Sequence, residues 1–410
     1  MRSSKPKPVT VRKPRVLWAN SYCLLDTSSG ASISVREMLL QLAVNGYEVA
    51  VLGATVFDSE KGLSKLPSNW STLIEQKPLV TIADGLLDHQ LLVTKSIKHV
   101  EMTEEESGQW FLLYEQALDR FKPDLVFFYG GSPLDYLISN EARHRGIPVA
   151  AYLVNGNYTH TRWQRDVDLI ITDSQATADY YQRKDGLDVT PVGTFINADA
   201  FRAKTHSRTH LLFINPTLEK GAGIVIQVAL LLAKQRPDIQ LEVVESRGNW
   251  QALVKMISAH FGDPQEQLSN VLVTANTSDM RPIYGRARLL LAPSLWWESG
   301  ARVAVEAMLN GIPVICTDHG GLPEMIGNAG LKLKLDKACH EAPFTTLPSL
   351  DGIENLVKSI IEFYNNESRY SEYVARAKSV SDTVHNMANN TQRLITAFAP
   401  LIEKGRGGLH

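Results

Sequence analysis

Cysteine is scarce: Cys23, Cys316 and Cys339 are the only three in 410 residues. None sits in a CxxC pair, so a disulfide framework is excluded and a reducing compartment is expected. Long hydrophobic runs are missing as well. The longest, Ile224 to Ala233, is broken by Gln227, well short of the roughly 18–20 apolar residues of a membrane helix. Neither sign of charge dominates, with 42 Lys and Arg against 44 Asp and Glu. Such a chain has no global field to draw nucleic acid, and no nucleic-acid partner is expected. There is no GxSxG elbow, no GxxxxGK[ST] phosphate loop and no convincing zinc spacing, so no metal is expected. The first fifteen residues carry Arg2, Lys5, Lys7, Arg12, Lys13 and Arg15 without an acid, yet lack the apolar core of a signal peptide. Residues 1–14 read as a solvated basic arm whose one functional option is weak contact with anionic lipid. The expected location is cytoplasmic, with any membrane contact peripheral and at the inner face.

What is present is a globular composition, 44% hydrophobic and 8% aromatic, in a length that suits two domains at roughly 100–200 residues each. Short Val/Ile/Leu/Phe runs alternate with longer amphipathic stretches. Strands are expected at Arg15–Ala19, Glu48–Leu52, Leu91–Thr94, Asp124–Tyr129, Val149–Val154 and Leu169–Thr172. A second series follows at His210–Ile214, Leu241–Glu245, Val271–Thr274, Leu289–Ala292 and Pro313–Thr317. Near-continuous apolar runs mark parallel strands covered on both faces, and a helix is expected over Ser32–Val44, closed by Asn45-Gly46. The fold class is therefore α/β, with two doubly wound, Rossmann-like domains facing a central cleft. Polar Arg202–His210 is the linker candidate. Helical patterns at Asp351–Asn365 and Ser371–Ala397 close the chain. The expected divisions are 15–203, 204–375, and a helical segment 376–410 packing back on the first domain.

The stretch from Leu289 to Gly330 carries the most chemistry. A buried strand ends at Pro293-Ser294, a loop holds Trp296, Trp297 and Glu298, and Gly300 opens a helix running through Glu306. The amides of Gly300, Ala301, Arg302 and Val303 would form the positive end of that helix, an anion site. Glu306 lies about 9 Å further along the axis at 1.5 Å per residue. A carboxylate there repels phosphate but accepts hydrogen bonds from vicinal hydroxyls such as those of a ribose. Glu298 could reach hydroxyls on the other side of the anion. On spacing alone, the pair reads more readily as a dipole-stabilising acid followed by a solvated helix face, and it is the strand–loop–helix context with the following GGLPE turn that favours a site. Asp166-Val167-Asp168 imitates a DxD metal motif but leads straight into a strand, so a structural role is expected. Trp296 and Trp297 read as core or interface aromatics.

ESGARVAVE, then AMLNGIPVI, then GGLPE resemble the family-4 retaining glycosyltransferases of the GT-B fold, which show E-x7-E, EAM–GxPV and GG-x-PE. The likeness extends along the chain. Ser29-Gly30-Ala31-Ser32 resembles the family's N-terminal glycine loop, with Gly30 facing the donor phosphates. Ile196 to Phe201 resembles the segment before the linker, and Phe213 to Gly221 the strand-loop ending in Lys-Gly. The resemblance implies that Glu306 binds the donor ribose, Glu298 the hydroxyls of the transferred sugar, and the amides of Ala301, Arg302 and Val303 the distal phosphate. Lys220 would neutralise the leaving diphosphate. Two positions depart from the pattern. Asn215 stands where the family has an Arg, leaving Arg302 or Arg247 as alternative phosphate cations. Asn155 stands where it has a His, with His160 nearby in sequence to substitute.

The resemblance implies a retaining, metal-independent hexosyltransferase without a cofactor. It would use a nucleotide diphosphate sugar, with UDP as the default base, in the second domain. The acceptor, a glycan, lipid-linked or small-molecule hydroxyl, would dock in the first. The rival readings are a sugar-nucleotide epimerase or hydrolase on the same fold, and a degenerate relative acting as a binding or scaffold partner.

Overall fold

The structure is a computed structural model that describes residues 12–70, 72, 78–159, 162–260 and 264–407. His160 and residues 1–11 of the basic arm lie outside the described residues.

The first domain holds β1 (Arg15–Ala19), α1 (Gly30–Val44), β2 (Glu48–Ala54), β3 (Leu79–Asp84), β4 (Leu87–Leu92) and α2 (Glu104–Phe121). It continues with β5 (Leu125–Phe128), α3 (Pro133–His144), β6 (Val149–Leu153), β7 (Leu169–Thr172), α4 (Gln175–Asp185), β8 (Thr190–Pro191) and α5 (Ala198–Phe201). Its sheet runs β3-β4-β2-β1-β5-β6-β7-β8, parallel except for the β3–β4 hairpin. The central strands are the Val/Leu/Phe runs anticipated, buried at every position in β5 and β6, as helices on both faces require. Trp18, Phe127 and Tyr129 pack edge to face at their centre.

The second domain holds β9 (His210–Ile214), α6 (Ala222–Gln235), β10 (Leu241–Val244), α7 (Trp250–His260), β11 (Val271–Thr274), α8 (Arg281–Arg286) and β12 (Ala287–Ala292). Then come α9 (Arg302–Leu309), β13 (Val314–Thr317), α10 (Leu322–Ile326), β14 (Gly330–Leu333), α11 (Leu350–Asn365) and α12 (Glu367–Thr383), after which α13 (Met387–Gly407) returns to the first domain. Its strands pair in parallel in the order β11-β10-β9-β12-β13-β14.

Several expectations need correction. The strand placed at Leu91–Thr94 starts earlier, as β4, and pairs with β3, whose half-exposed alternation in LVTIAD carried too weak a signal. The linker candidate Arg202–His210 runs from the end of α5 into the first residue of β9 and is held to the second domain. Ala203 N donates to Asn310 Oδ1 at 2.8 Å, and Ser207 N to the Gly285 carbonyl at 2.8 Å. The helical return to the first domain begins at α13 and not at 376, because Ala377 and Val380 of α12 are buried in the second domain's core. Phe398 of α13 then packs on Phe127, and Lys404 reaches Asp168 at 2.7 Å. Asp168 also accepts the Val149 amide at 3.0 Å, so the DxD look-alike is structural. Among the described residues, no helix is long and apolar enough to cross a membrane.

The loops after the carboxyl ends of β1, β5, β6 and β7 face those after β9, β10, β11 and β12 across one cleft of about 780 Å³. Along one edge of the cleft a seam joins the domains. Asn155 and Glu298 form an antiparallel bridge. Trp297 stacks on Tyr180 at 4.1 Å and donates from Nε1 to Thr177 Oγ1 at 3.0 Å. Glu324 of α10 accepts the amides of Gln175 and Ala176, at 3.0 and 2.7 Å. A carboxylate from one domain thus caps a helix of the other, where the dipole favours negative charge.

Candidate functional site

The cleft is lined by Gly30, Asn155, Asn215, Lys220, Glu298, Gly300, Ala301, Arg302, Val303 and Glu306 together. These are the described members of the set expected from sequence.

The β12–α9 connection explains much of the geometry. β12 is buried throughout, and the chain leaves it at Pro293-Ser294 to cross the domain seam before entering α9. Gly300 is required at the crossing because a Cβ there would lie 2.4 Å from the Asp173 Cβ of the other domain. The N-cap of α9 is Ala301, which has no side-chain acceptor to satisfy the first-turn amides. Those amides and the helix dipole form an anion-seeking end facing the cleft.

Lys220 enters from the β9–α6 loop. The turn closes at Gly221, which has φ +83 and whose Cβ would stand 2.1 Å from the Pro293 carbonyl oxygen. That contact ties the loop to the start of the Glu298 segment, and Lys220 Nζ forms an ion pair with Glu298 Oε1. Ser294 Oγ donates to the same oxygen at 2.6 Å. The ammonium also lies 4.9 Å from the centre of the Trp296 ring. Burial opposes ionisation of Glu298, yet the Lys220 charge and these hydrogen bonds hold its carboxyl below the usual range.

Glu306 is 6% exposed and already holds two protein partners. Tyr284 donates its hydroxyl to Oε2 at 2.7 Å, and Arg302 Nη2 stands 3.3 Å from Oε1. Each carboxylate oxygen has two lone pairs, so capacity for hydroxyl donors remains, but the group is a node of a buried network rather than a lone acceptor. Arg302 Nη1 donates to Ser34 Oγ at 3.2 Å and to the Phe195 carbonyl at 2.7 Å, both in the first domain. Its guanidinium is therefore committed to the domain interface, and its amide is what remains for an anion. Gly30 opens α1 facing this arginine, 3.7 Å from its Cδ to an ideal Cβ.

Asn215 brings no charge to the cleft in place of an arginine. It has φ +61, and its Oδ1 accepts the amides of Arg247 at 3.0 Å and Gly248 at 3.4 Å. Asn155 likewise spends its side chain locally, accepting the Asn157 amide at 2.9 Å, while its backbone bridges to Glu298.

Sequence reasoning missed Asp173 and underused Tyr284 and Glu324. Asp173 is buried at the end of β7 and accepts Ser299 Oγ at 2.6 Å and the Tyr152 hydroxyl at 2.8 Å. Burial pushes its carboxyl up to about 6. The signal available was its place, an acid directly after an apolar strand and before the Ser174 helix cap. Among the described residues no cluster of three metal-ligating side chains occurs.

Residues 202–393 match the family of glycosyl transferases group 1. A D-inositol 3-phosphate glycosyltransferase of Arthrobacter sp. (strain FB24) is 26% identical over 249 residues, 52% of this chain and 55% of that protein. Spore coat protein SA of Bacillus subtilis (strain 168) is 26% identical over 125 residues, 30% of this chain and 33% of that protein. The chain thus spans between about one third and just over half the length of the curated relatives it matches. Anabaena Alr3699/HepE in complex with UDP and glucose superposes with a TM-score of 0.67 at 14% identity, over 94% of this chain and 100% of that one. Sucrose-phosphate synthase from Thermosynechococcus elongatus does so with a TM-score of 0.60 at 15% identity, over 97% and 98%. At these identities the structural likeness speaks for the fold. The chain has the GT-B fold, and its residues 202–393 match the model of the glycosyl transferases of group 1.

Proposed function

We propose that the chain is a retaining glycosyltransferase that moves a hexosyl unit from a nucleotide diphosphate sugar, with UDP as the expected nucleotide, to an acceptor hydroxyl. The acceptor is a glycan, a lipid-linked sugar or a small molecule docked against the first domain. The observation that carries the reading is the convergence in one cleft of the α9 amides, the Lys220–Glu298 pair and Glu306. The UDP bound by the Anabaena protein and the D-inositol 3-phosphate glycosyltransferase relatives point the same way.

In this reading the α9 amides hold the distal phosphate and Glu306 accepts from the ribose hydroxyls. Glu298 orients the hexose. The acceptor oxygen bonds to the anomeric carbon on the face from which the phosphate departs, and the departing phosphate oxygen takes the acceptor proton. Lys220 compensates the charge growing on that phosphate, with no metal required.

Proton and phosphorus NMR of UDP-, GDP- and ADP-glucose, incubated with the chain in EDTA, tests this. Expected is slow release of one nucleotide with first-formed sugar in the α configuration, at a rate raised by added acceptors (hexoses, inositol phosphates, lipid-linked sugars). Rapid turnover indifferent to every acceptor would favour the hydrolase, and interconversion of nucleotide sugars the epimerase. The scaffold reading predicts intact donors throughout; its support is that Lys220 and Arg302 are each already matched by a carboxylate.

A further inference from the structure

A diphosphate is multiply negative, and most cations lining this cleft are already matched. Lys220 is paired with Glu298, and Arg302 with Glu306. Arg36 and Lys65 share Asp84. Arg247 differs. Among the described residues its guanidinium makes one long contact, Nη1 to Asp58 Oδ2 at 3.4 Å, and that carboxylate belongs to the opposite domain.

Resting on the glycosyltransferase reading above, we propose that Arg247 is a diphosphate-binding side chain of this cleft, that Asn215 positions it, and that Asp58 competes with the ligand for it. The loop after β10 is built to hold it there. Asn215 takes the left-handed conformation that Asn tolerates better than most residues. From it, one side-chain oxygen gathers the amides of both Arg247 and Gly248. Gly248 cannot carry a side chain, because a Cβ would lie 1.7 Å from the Pro216 carbonyl oxygen. The β10 loop is thereby clamped to the turn that ends in Lys220, and the two cations share one wall of the cleft. A short polar Asn at 215 thus anchors a cation that arrives from the next strand. Asp58 in turn is fixed by its own amide, which donates to Asp26 Oδ2 at 2.7 Å. It offers the guanidinium a single carboxylate at the cleft edge, where a charge pair is weak, whereas two phosphates can engage its fork of donors.

Calorimetric titration with UDP and UMP separates the phosphate from the base and ribose. Arg247→Ala is expected to weaken UDP about ten- to a hundredfold, the cost of a lost charged hydrogen bond, and UMP far less. Asn215→Ala should lower the UDP-to-UMP ratio in the same direction with little further loss when combined with Arg247→Ala. Asp58→Asn should tighten UDP about two- to fivefold, the scale of a partly exposed pair. Thermal unfolding of each variant confirms the fold. Equal losses for UDP and UMP, no loss at Arg247→Ala, or weaker UDP binding by Asp58→Asn would each overturn the inference while leaving the donor site standing. If the unaltered chain binds none of UDP, GDP or ADP, the functional reading itself fails and the role of Arg247 with it.

Discussion

Truncating Glu306 to Ala removes the shared acceptor of two buried donors, and the consequence can be worked out from their partners. The Tyr284 hydroxyl loses its 2.7 Å bond, and it is fully buried. An orphaned group of that kind costs about 1–3 kcal/mol. Arg302 loses its carboxylate at 3.3 Å but keeps Ser34 and the Phe195 carbonyl. Its share therefore falls below the roughly 3–5 kcal/mol of a broken, otherwise unsatisfied buried pair. Together about 3–4 kcal/mol is expected, which for domains of this size lowers Tm by roughly 6–15 °C. Glu306→Gln keeps an acceptor for Tyr284 and gives up only the charge, so its loss should be less than half as large. Tyr284→Phe should cost about 1 kcal/mol in the unaltered chain and almost nothing once Glu306 is Ala, a coupling that a double-mutant cycle reads directly. Differential scanning calorimetry and urea unfolding measure all four. If Glu306→Ala unfolds within a degree of the unaltered chain, or if Gln is worse than Ala, the buried network described above is wrong.

Other parts of the account make separate demands. The Asp173 carboxyl, raised from 3.8 to about 6 by burial, weakens the fold above its folded pKa, and that cost shrinks as pH falls through it. The stability of the unaltered chain relative to Asp173→Asn should therefore rise by about 1.5 kcal/mol between about pH 7.5 and about pH 5, measured by urea unfolding. A flat difference would contradict the assignment. Glu324→Ala leaves the Ser174 cap of α4 in place but removes the acceptor of two further first-turn amides, so Tm should drop by about 2–4 °C for a loss near 1 kcal/mol, and amide exchange at Gln175 and Ala176 should accelerate. Gly156→Ala drives a methyl to 2.5 Å from the Trp297 Cβ and should open the domain seam, seen as increased radius of gyration in solution scattering. Lys220→Ala should reduce transfer about a hundredfold or more in kcat, and at the same time raise the Glu298 carboxyl, whose ionisation it supports.

Much of this architecture was legible because it rests on local pattern. Buried parallel strands announce themselves as apolar runs, and β1, β7 and β9 fall where those runs lie. The order of strand, loop and helix around Glu306 was legible, although the helix begins at Arg302, two residues after the glycine expected to open it. What stayed hidden depends on contacts between distant segments. Nothing in the neighbourhood of Arg302 says that its guanidinium will cross to Ser34. Nor does Asn215 reveal from its own surroundings that it will collect two amides from a loop after the next strand. Glu324 was legible as part of a motif, but its service to a helix of the other domain required knowing that α4 begins there. Gly300 was read as freeing backbone for an anion; the structure adds that Asp173 leaves no room for any other residue.

The central claim is that this cleft binds a nucleotide diphosphate through the α9 amides, Lys220 and Glu306. Calorimetric titration of the chain with UDP, GDP and ADP in EDTA, repeated on Glu306→Gln, tests it most directly. The account predicts that one nucleotide binds without metal and that the variant, folded but with a weaker acceptor for the ribose hydroxyls, binds it about ten- to a hundredfold less tightly. Failure of all three nucleotides to bind, or binding that ignores Glu306, would contradict it.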